Sequence, residues 1–368
     1  MQIPFFELRT QFSFIEEDIK KAIDRTFAQM QVIGGEIVTE FEEALAKYSG
    51  IPYLISCGNG SDALEVALKA LDIGPGDEVL VPALSWYSTA GAVKNVGAEP
   101  VFVDVLENEY TLDPSAAAAK INRSTKAIIP VHLYGLPARM EEIQKLALQT
   151  GLKIIEDCAQ ALGATIRGQQ VGTFGDLAAF SFYPTKNLGA YGDAGAIGTA
   201  DQGLAEKCRW ITDYGQKSKN DHHIIGRNSR LDTIQAAILS AKLPYLDSWV
   251  AKRQTIAERY GSEISGPSFQ SIPKDFRHVY HIYNILSENR EGLIAELSRR
   301  GIGFAIHYPQ PLPYLKCFES KKYSTGDFPV AEKICQHGIS IPIFPELEEK
   351  QIGYIISSFN EFYKLQLT

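Results

Sequence analysis

From about residue 36 to residue 245, short apolar runs alternate with amphipathic stretches, and this rhythm constrains the fold more than any other feature. Runs at 53–56, 78–82, 100–103, 127–131, 153–156 and 178–182 are mostly Val, Ile, Leu, Phe and Ala, as expected of strands buried on both faces. Between them, 62–71, 140–150 and 231–242 carry apolar residues at helical spacing. The alternation predicts an α/β fold built on a large, mixed but mostly parallel sheet. A chain of 368 residues, 45% hydrophobic, exceeds one ordinary core, so two domains are expected, the larger over 1–245. After Leu243-Pro244 the pattern changes to a basic, apolar helix at 246–260, a Gly-Pro-Ser segment and an alternating run at 279–286. A small α/β domain over 246–368 is expected, with helices at 290–300, 330–337 and 346–363 and strands at 303–307 and 339–342. Residues 3–12 have no evident partner in the large domain and read as an arm crossing to another subunit.

Charge and cysteine usage narrow the partners. A net charge of −8 argues against nucleic acid or an anionic membrane surface, so any bound anion must be held locally. The cysteines (Cys57, Cys158, Cys208, Cys317, Cys335) are scattered and lack CxxC spacing, which favours a reducing cytosol over a disulfide framework. Charged residues interrupt every apolar run before membrane-spanning length, and no leader pattern is visible, so a soluble, unprocessed chain is expected.

Ligands of open α/β sheets gather beyond the carboxyl ends of the strands. There this chain places Gly58-Asn59-Gly60-Ser61-Asp62-Ala63, then Trp86, His132, Asp157 and Lys186. The first stretch also fits a dinucleotide fingerprint, but the following strand ends at Pro82 without the acid that would grip a ribose. Gly60 and Ser61 therefore read as a cradle for a lone phosphate at a helix N-terminus, in preference to a plain strand-to-helix turn. Trp86 would be core filling in most settings, yet beside a phosphate site its indole can stack on a flat heteroaromatic ring. Asp157 directly follows an apolar strand, where a carboxylate either caps a helix or meets a buried cation such as a protonated pyridine nitrogen. Gln160 is placed to hydrogen-bond the ring hydroxyl. Lys186 lies in a small-residue loop after a strand, where desolvation favours the neutral amine a Schiff base requires, and Ser181 can reach the phosphate from the opposite side. The set describes a pyridoxal 5'-phosphate site.

The residues carrying this pattern resemble the DegT/DnrJ/EryC1/StrS family of sugar aminotransferases over nearly the whole chain. The specific parts are GNGSDAL from Gly58, EDCAQ from Glu156, FSFYPTKNLG from Phe180, GDAGA from Gly192, and NSRLD from Asn228 followed by QAA at Gln235. The resemblance implies the type I fold of pyridoxal-phosphate transferases, similar to aspartate aminotransferase. It implies Lys186 as Schiff base and proton shuttle, Asp157 on the pyridine nitrogen, Gln160 on the ring hydroxyl, Trp86 stacking, and Gly60, Ser61 and Ser181 on the phosphate. It also implies that Asn228 reaches the phosphate of a neighbouring subunit, hence a homodimer with shared sites. The expected reaction passes an amine from glutamate, through pyridoxamine 5'-phosphate, to a keto-sugar linked to dTDP or UDP, for an amino sugar of a surface polysaccharide or glycosylated metabolite. Thr185, Arg230, His307 and Tyr308 resemble substrate-contacting positions. His222-His223 followed by Gly226-Arg227-Asn228-Ser229-Arg230-Leu231-Asp232, and Ile306-His307-Tyr308-Pro309, resemble members that aminate C3 more than those that aminate C4. One departure is Met30 and Val32 ahead of Ile33-Gly34, where many relatives carry Gly and Tyr. Sugar dehydration or deamination, or a non-catalytic regulatory role, are the alternatives. No metal site is expected, since neither His222-His223 nor His278-x-x-His281 has a completing Cys or carboxylate, and Cys158 reads as a packing residue.

Overall fold

The computed structural model describes residues 1–320 and 322–366. Its centre is a seven-stranded sheet whose strands in chain order are Tyr53–Cys57, Glu78–Pro82, Glu99–Val103, Thr125–Ile128, Lys153–Asp157, Leu177–Ser181 and Gly195–Thr199. Across the sheet Tyr53–Cys57 lies at one edge, followed by Gly195–Thr199, Leu177–Ser181, Lys153–Asp157, Thr125–Ile128, Glu78–Pro82 and finally Glu99–Val103. Gly195–Thr199 runs antiparallel to both its neighbours, and the other pairings are parallel. Each strand expected in the large domain is present to within a few residues. Gly195–Thr199 was not anticipated, because Gly195-Ala196-Ile197-Gly198-Thr199 has too little apolar bulk to read as a buried strand.

Both faces are covered. Val79, Val81, Ile129, Ile155 and Ile197 pack into a core shared with helices Gly60–Ala70 and Ser88–Asn95. On the opposite face Leu54, Ala178, Phe180 and Ala196 meet Phe41 and Leu45 of helix Glu36–Ser49 and Leu239 of helix Thr233–Lys242. Helix Gly60–Ala70 starts where it does because the Asn59 side chain accepts from the Asp62 N–H at 2.9 Å, capping the helix beside the end of Tyr53–Cys57.

Helix Leu246–Glu263 leads into a second, antiparallel sheet in which Tyr283–Leu286 lies between Ser268–Phe269 and Gly338–Ile341. Its core joins Ile256, Tyr260, Leu293, Leu297, Ile355 and Phe359. Phe318, Phe328 and Ile334 instead pack into the core of the seven-stranded sheet. Two expectations are corrected. Ile3 does not leave the chain: it forms a parallel bridge with Ile302, is 2% exposed and joins the second core, and the chain then enters helix Arg9–Gln29. The expected strand at 303–307 reduces to one bridge, Ala305 to Ser340, after which the chain turns away and carries His307 and Tyr308 to the sheet edge.

Candidate active site

A cavity of about 470 Å³ opens at the carboxyl edge of the parallel strands. It collects Gly60, Ser61, Trp86, Asp157, Gln160, Ser181, Lys186 and the expected substrate positions Thr185, His307 and Tyr308. Asn228 and Arg230 do not line it.

One end suits a phosphate. Gly60 and Ser61 open helix Gly60–Ala70, where first-turn N–H groups have no intrahelical acceptor and the helix dipole is positive. A methyl on Gly60 would lie 2.6 Å from Ser181 Cβ, so only glycine lets the helix start approach that strand end. Ser61 Oγ and Ser88 Oγ share a 2.6 Å hydrogen bond and both face the cavity.

The far wall carries the charge. Asp157 is 5% exposed, and its carboxylate accepts from Thr89 Oγ1 at 2.9 Å and the Ala159 N–H at 3.2 Å. Ser85 and Thr89 hydroxyls pair at 2.8 Å, so Thr89 donates onward and fixes the carboxylate's orientation. Burial raises the Asp157 pKa, opposed by those two hydrogen bonds and by Lys186. A carboxylate so desolvated gains most from a cationic partner within the cavity. Lys186 shows the complementary effect: burial lowers its amine to about 8, with Asp157 pulling the other way. By surface area Lys186 is half-buried, and it lines the cavity.

Polar groups and aromatics complete the walls. Gln160 is locked: its Oε1 accepts from the Tyr134 N–H at 2.6 Å, and its Nε2 donates to Tyr308 Oη at 3.1 Å. Trp86 is 59% exposed, which removes the core-filling reading, and its ring lies 6.0 Å from that of Tyr308. His307 is held by Ser340 Oγ at 2.9 Å, and burial, then Lys186, lowers its pKa to about 4. The residues present fit pyridoxal phosphate: a helix-end cradle that a Cβ would fill, a desolvated acid across the cavity and a lysine with a depressed pKa.

His132 does not join the site. It is fully buried, its Nδ1 accepts from the Ala138 N–H at 2.9 Å, and Nε2 therefore carries the hydrogen donated to Glu156 at 3.1 Å. Glu156 also accepts from the N–H groups of Gly172, Phe174 and Gly175. His132, Glu156 and Cys158 lie within metal-ligating distance of one another, but these bonds already occupy the imidazole and carboxylate. Conversely, Thr89 and His281 face the cavity without having been singled out as site residues. The Ser85/Thr89 spacing on an incipient helix was the available signal for the first. His281, expected only as one half of a histidine pair with His278, instead lies 3.4 Å from Lys186 Nζ, whereas His278 bonds Gln270 and the Tyr280 N–H.

The segment around Asn228 is pinned from alternate sides. Arg227 reaches Asp62 at 2.8 Å and Ser229 Oγ donates to Asp62 at 2.6 Å, while Asn228 and Arg230 point outward and bond each other at 2.9 Å.

Comparison with known proteins adds three findings. Residues 13–360 match the DegT/DnrJ/EryC1/StrS aminotransferase family. The chain is 44% identical to a "Pleiotropic regulatory protein" of Geobacillus stearothermophilus, covering 99% of each. It is 43% identical to a UDP-N-acetyl-3-dehydro-alpha-D-glucosamine 3-aminotransferase of Acidithiobacillus ferrooxidans, covering 96% of each. Its fold matches the crystal structure of S. venezuelae DesV in complex with a ketimine intermediate, with a TM-score of 0.96, 38% identity and 98% coverage of both chains.

Proposed function

The chain belongs to the DegT/DnrJ/EryC1/StrS aminotransferase family, and on that premise we propose that it transfers an amine from glutamate to C3 of a keto-sugar linked to UDP or dTDP. It is a pyridoxal-phosphate enzyme of the type I transferase fold. The observation that carries the proposal is one cavity holding the Gly60/Ser61 helix end, buried Asp157 and pKa-depressed Lys186 together. The cofactor, when bound, supplies an electron-accepting ring and carries the amine between substrates. Gly60, Ser61 and Ser181 would hold its phosphate, Asp157 its ring nitrogen, Gln160 its hydroxyl and Trp86 its face. Lys186, neutral above about pH 8, attaches it and then moves the proton at the reacting carbon.

The C3 assignment draws support from the 3-aminotransferase name of one relative and from His307 and Tyr308 at the cavity rim. Thr185 would contact the sugar nucleotide from the same rim, and Arg230 from a partner subunit. The dimer reading draws support from the outward-facing Asn228, tethered by Arg227 and Ser229, and from exposed Met30, Val32 and Ile225 nearby in sequence to segments that meet helix Gly60–Ala70 and Asp232. Apolar side chains so exposed are what a subunit interface covers. Among the described residues no helix is long and apolar enough to cross a membrane, and the five cysteines are free thiols, which supports a cytosolic location. A purely regulatory role is the second reading, favoured by the name of one relative. A regulator has no use for Lys186, Asp157 and Gln160 in this arrangement, and all three are kept.

Incubating purified protein with glutamate and a panel of keto-sugar nucleotides, and locating the new amine by NMR, tests the proposal. Amine at C3 supports it, and amine at C4 overturns the regiochemistry. Retained colour with no bleaching by any amino donor would favour dehydration or deamination, and a colourless protein indifferent to pyridoxal phosphate would favour the regulatory role.

A further inference from the structure

Among the described residues two histidines are buried, and both are fully hydrogen-bonded. His132 uses both ring nitrogens on Ala138 and Glu156, and His278 uses both on Tyr280 and Gln270. His281 differs. Its Nδ1 is buried with no partner, and its Nε2 meets one group, the Lys186 terminal nitrogen at 3.4 Å. An unpaired buried nitrogen is costly, so as a packing residue this histidine is a poor choice. The polar group it serves is the reactive amine.

Charged and titratable neighbours face His281 from every side: Lys186 from its loop, Arg253 from helix Leu246–Glu263 and His307 from the segment beyond Ala305, with Asp157 across Lys186. Burial first, and then these cations and His307, push its pKa well below the ordinary value. Both effects favour the neutral imidazole, whose unprotonated ring nitrogen can accept a hydrogen bond.

We propose that His281 is a positioning residue for Lys186, accepting a hydrogen bond at Nε2 whenever the lysine is free of the cofactor and so holding the amine at the cavity floor between the two halves of the reaction. The inference rests on Lys186 as the attachment point. Whenever Lys186 were not attached to the cofactor, its untethered four-carbon chain would lose the geometry that reattachment requires. With one acceptor at Nε2, the ammonium is stabilised without being neutralised, and the amine stays directed into the cavity.

The test uses protein freed of cofactor, in which Lys186 is reductively methylated with formaldehyde and cyanoborohydride from neutral to alkaline pH and read by mass spectrometry. In the native sequence the midpoint should fall near about 8. His281→Leu and His281→Phe, apolar replacements of different shape, should lower it by about one unit, a tenfold loss in the ammonium's stability. His281→Gln, whose amide reaches the place of Nε2, should restore it. A midpoint unchanged in either folded apolar variant overturns the inference, as does a Gln variant that falls with them, since a structural defect would affect all three alike. Borohydride reduction of the holoenzyme separates the premise: cofactor fixed to a lysine other than Lys186 overturns the attachment reading and the inference with it, whereas an unchanged methylation midpoint overturns the inference alone.

Discussion

Replacing Gly60 with alanine isolates the phosphate cradle in a single methyl. The new Cβ would stand 2.6 Å from Ser181 Cβ, 3.1 Å from its Oγ and 3.2 Å from its Cα. Carbon atoms rest at about 3.5–4.0 Å, so about 1 Å of movement is required. Leu177–Ser181 resists it, because Leu177, Ala178 and Ala179 pair with Lys153–Asp157 and Ser181 itself pairs with Gly195. The helix start must yield instead, and with it the N–H groups of Gly60 and Ser61. Overpacking of this kind costs about 1–3 kcal/mol. A hydrogen bond to a charged group is worth about 1.5–3 kcal/mol, and displacement by 1 Å forfeits most of one. Cofactor affinity should therefore fall by about 10- to 100-fold, while the cofactor-free protein melts only a few degrees lower. Titrating pyridoxal phosphate into apoprotein and following its visible band measures the first, and thermal unfolding the second. Gly353→Ala, where a Cβ meets nothing within 4 Å, is the control and should leave affinity unchanged. If Gly60→Ala bound cofactor within about twofold of the native protein, the helix end would not be the phosphate site.

Three other perturbations separate site from scaffold. Trp86→Ala, at a half-exposed position, should leave folding stability within about 0.5 kcal/mol but weaken cofactor binding roughly three- to tenfold through lost stacking, as read by the same titration. His132→Ala should do the reverse, costing about 2–4 kcal/mol in urea unfolding by stripping partners from buried Glu156 and the Ala138 N–H, with the visible spectrum of the holoenzyme unchanged. Cofactor capture needs neutral Lys186, so its rate should rise with pH through about 8 and level off above. In Asp157→Asn, which removes the carboxylate that favours the ammonium, the midpoint should move to lower pH, and a midpoint that stays or rises contradicts the charge coupling.

The parallel strands and the residues at their ends were legible because a strand buried on both faces reads as a short apolar run, and the binding side chains follow where the run stops. Asp157 and Lys186 each announce such an end. Gly195–Thr199 was not legible, since it depends on the bulk of its neighbours rather than its own. The N-terminal arm misled for a related reason: Ile3 finds its partner at Ile302, a pairing that no local pattern encodes. His132 shows the limit of reading strand ends alone. It stands at the right edge, but its side chain turns into the protein to meet Glu156, whereas Trp86 at another strand end stays open to solvent. His281 was hidden by sequence distance, because only the return of the chain through Tyr280 brings its ring to a lysine 95 residues earlier.

The account stands on Lys186 carrying the cofactor, and the protein contains its own control. Lys242 is also buried and its amine is also lowered to about 8, but it is 1% exposed, donates to the Gly189 carbonyl at 2.5 Å and lies outside the cavity. A depressed pKa alone would make the two lysines equivalent. Borohydride reduction of the holoenzyme, digestion and mass spectrometry should place the pyridoxyl group on the peptide containing Lys186, with Lys242 unmodified. Modification of Lys242, or of no lysine in a protein that binds pyridoxal phosphate, would contradict the account.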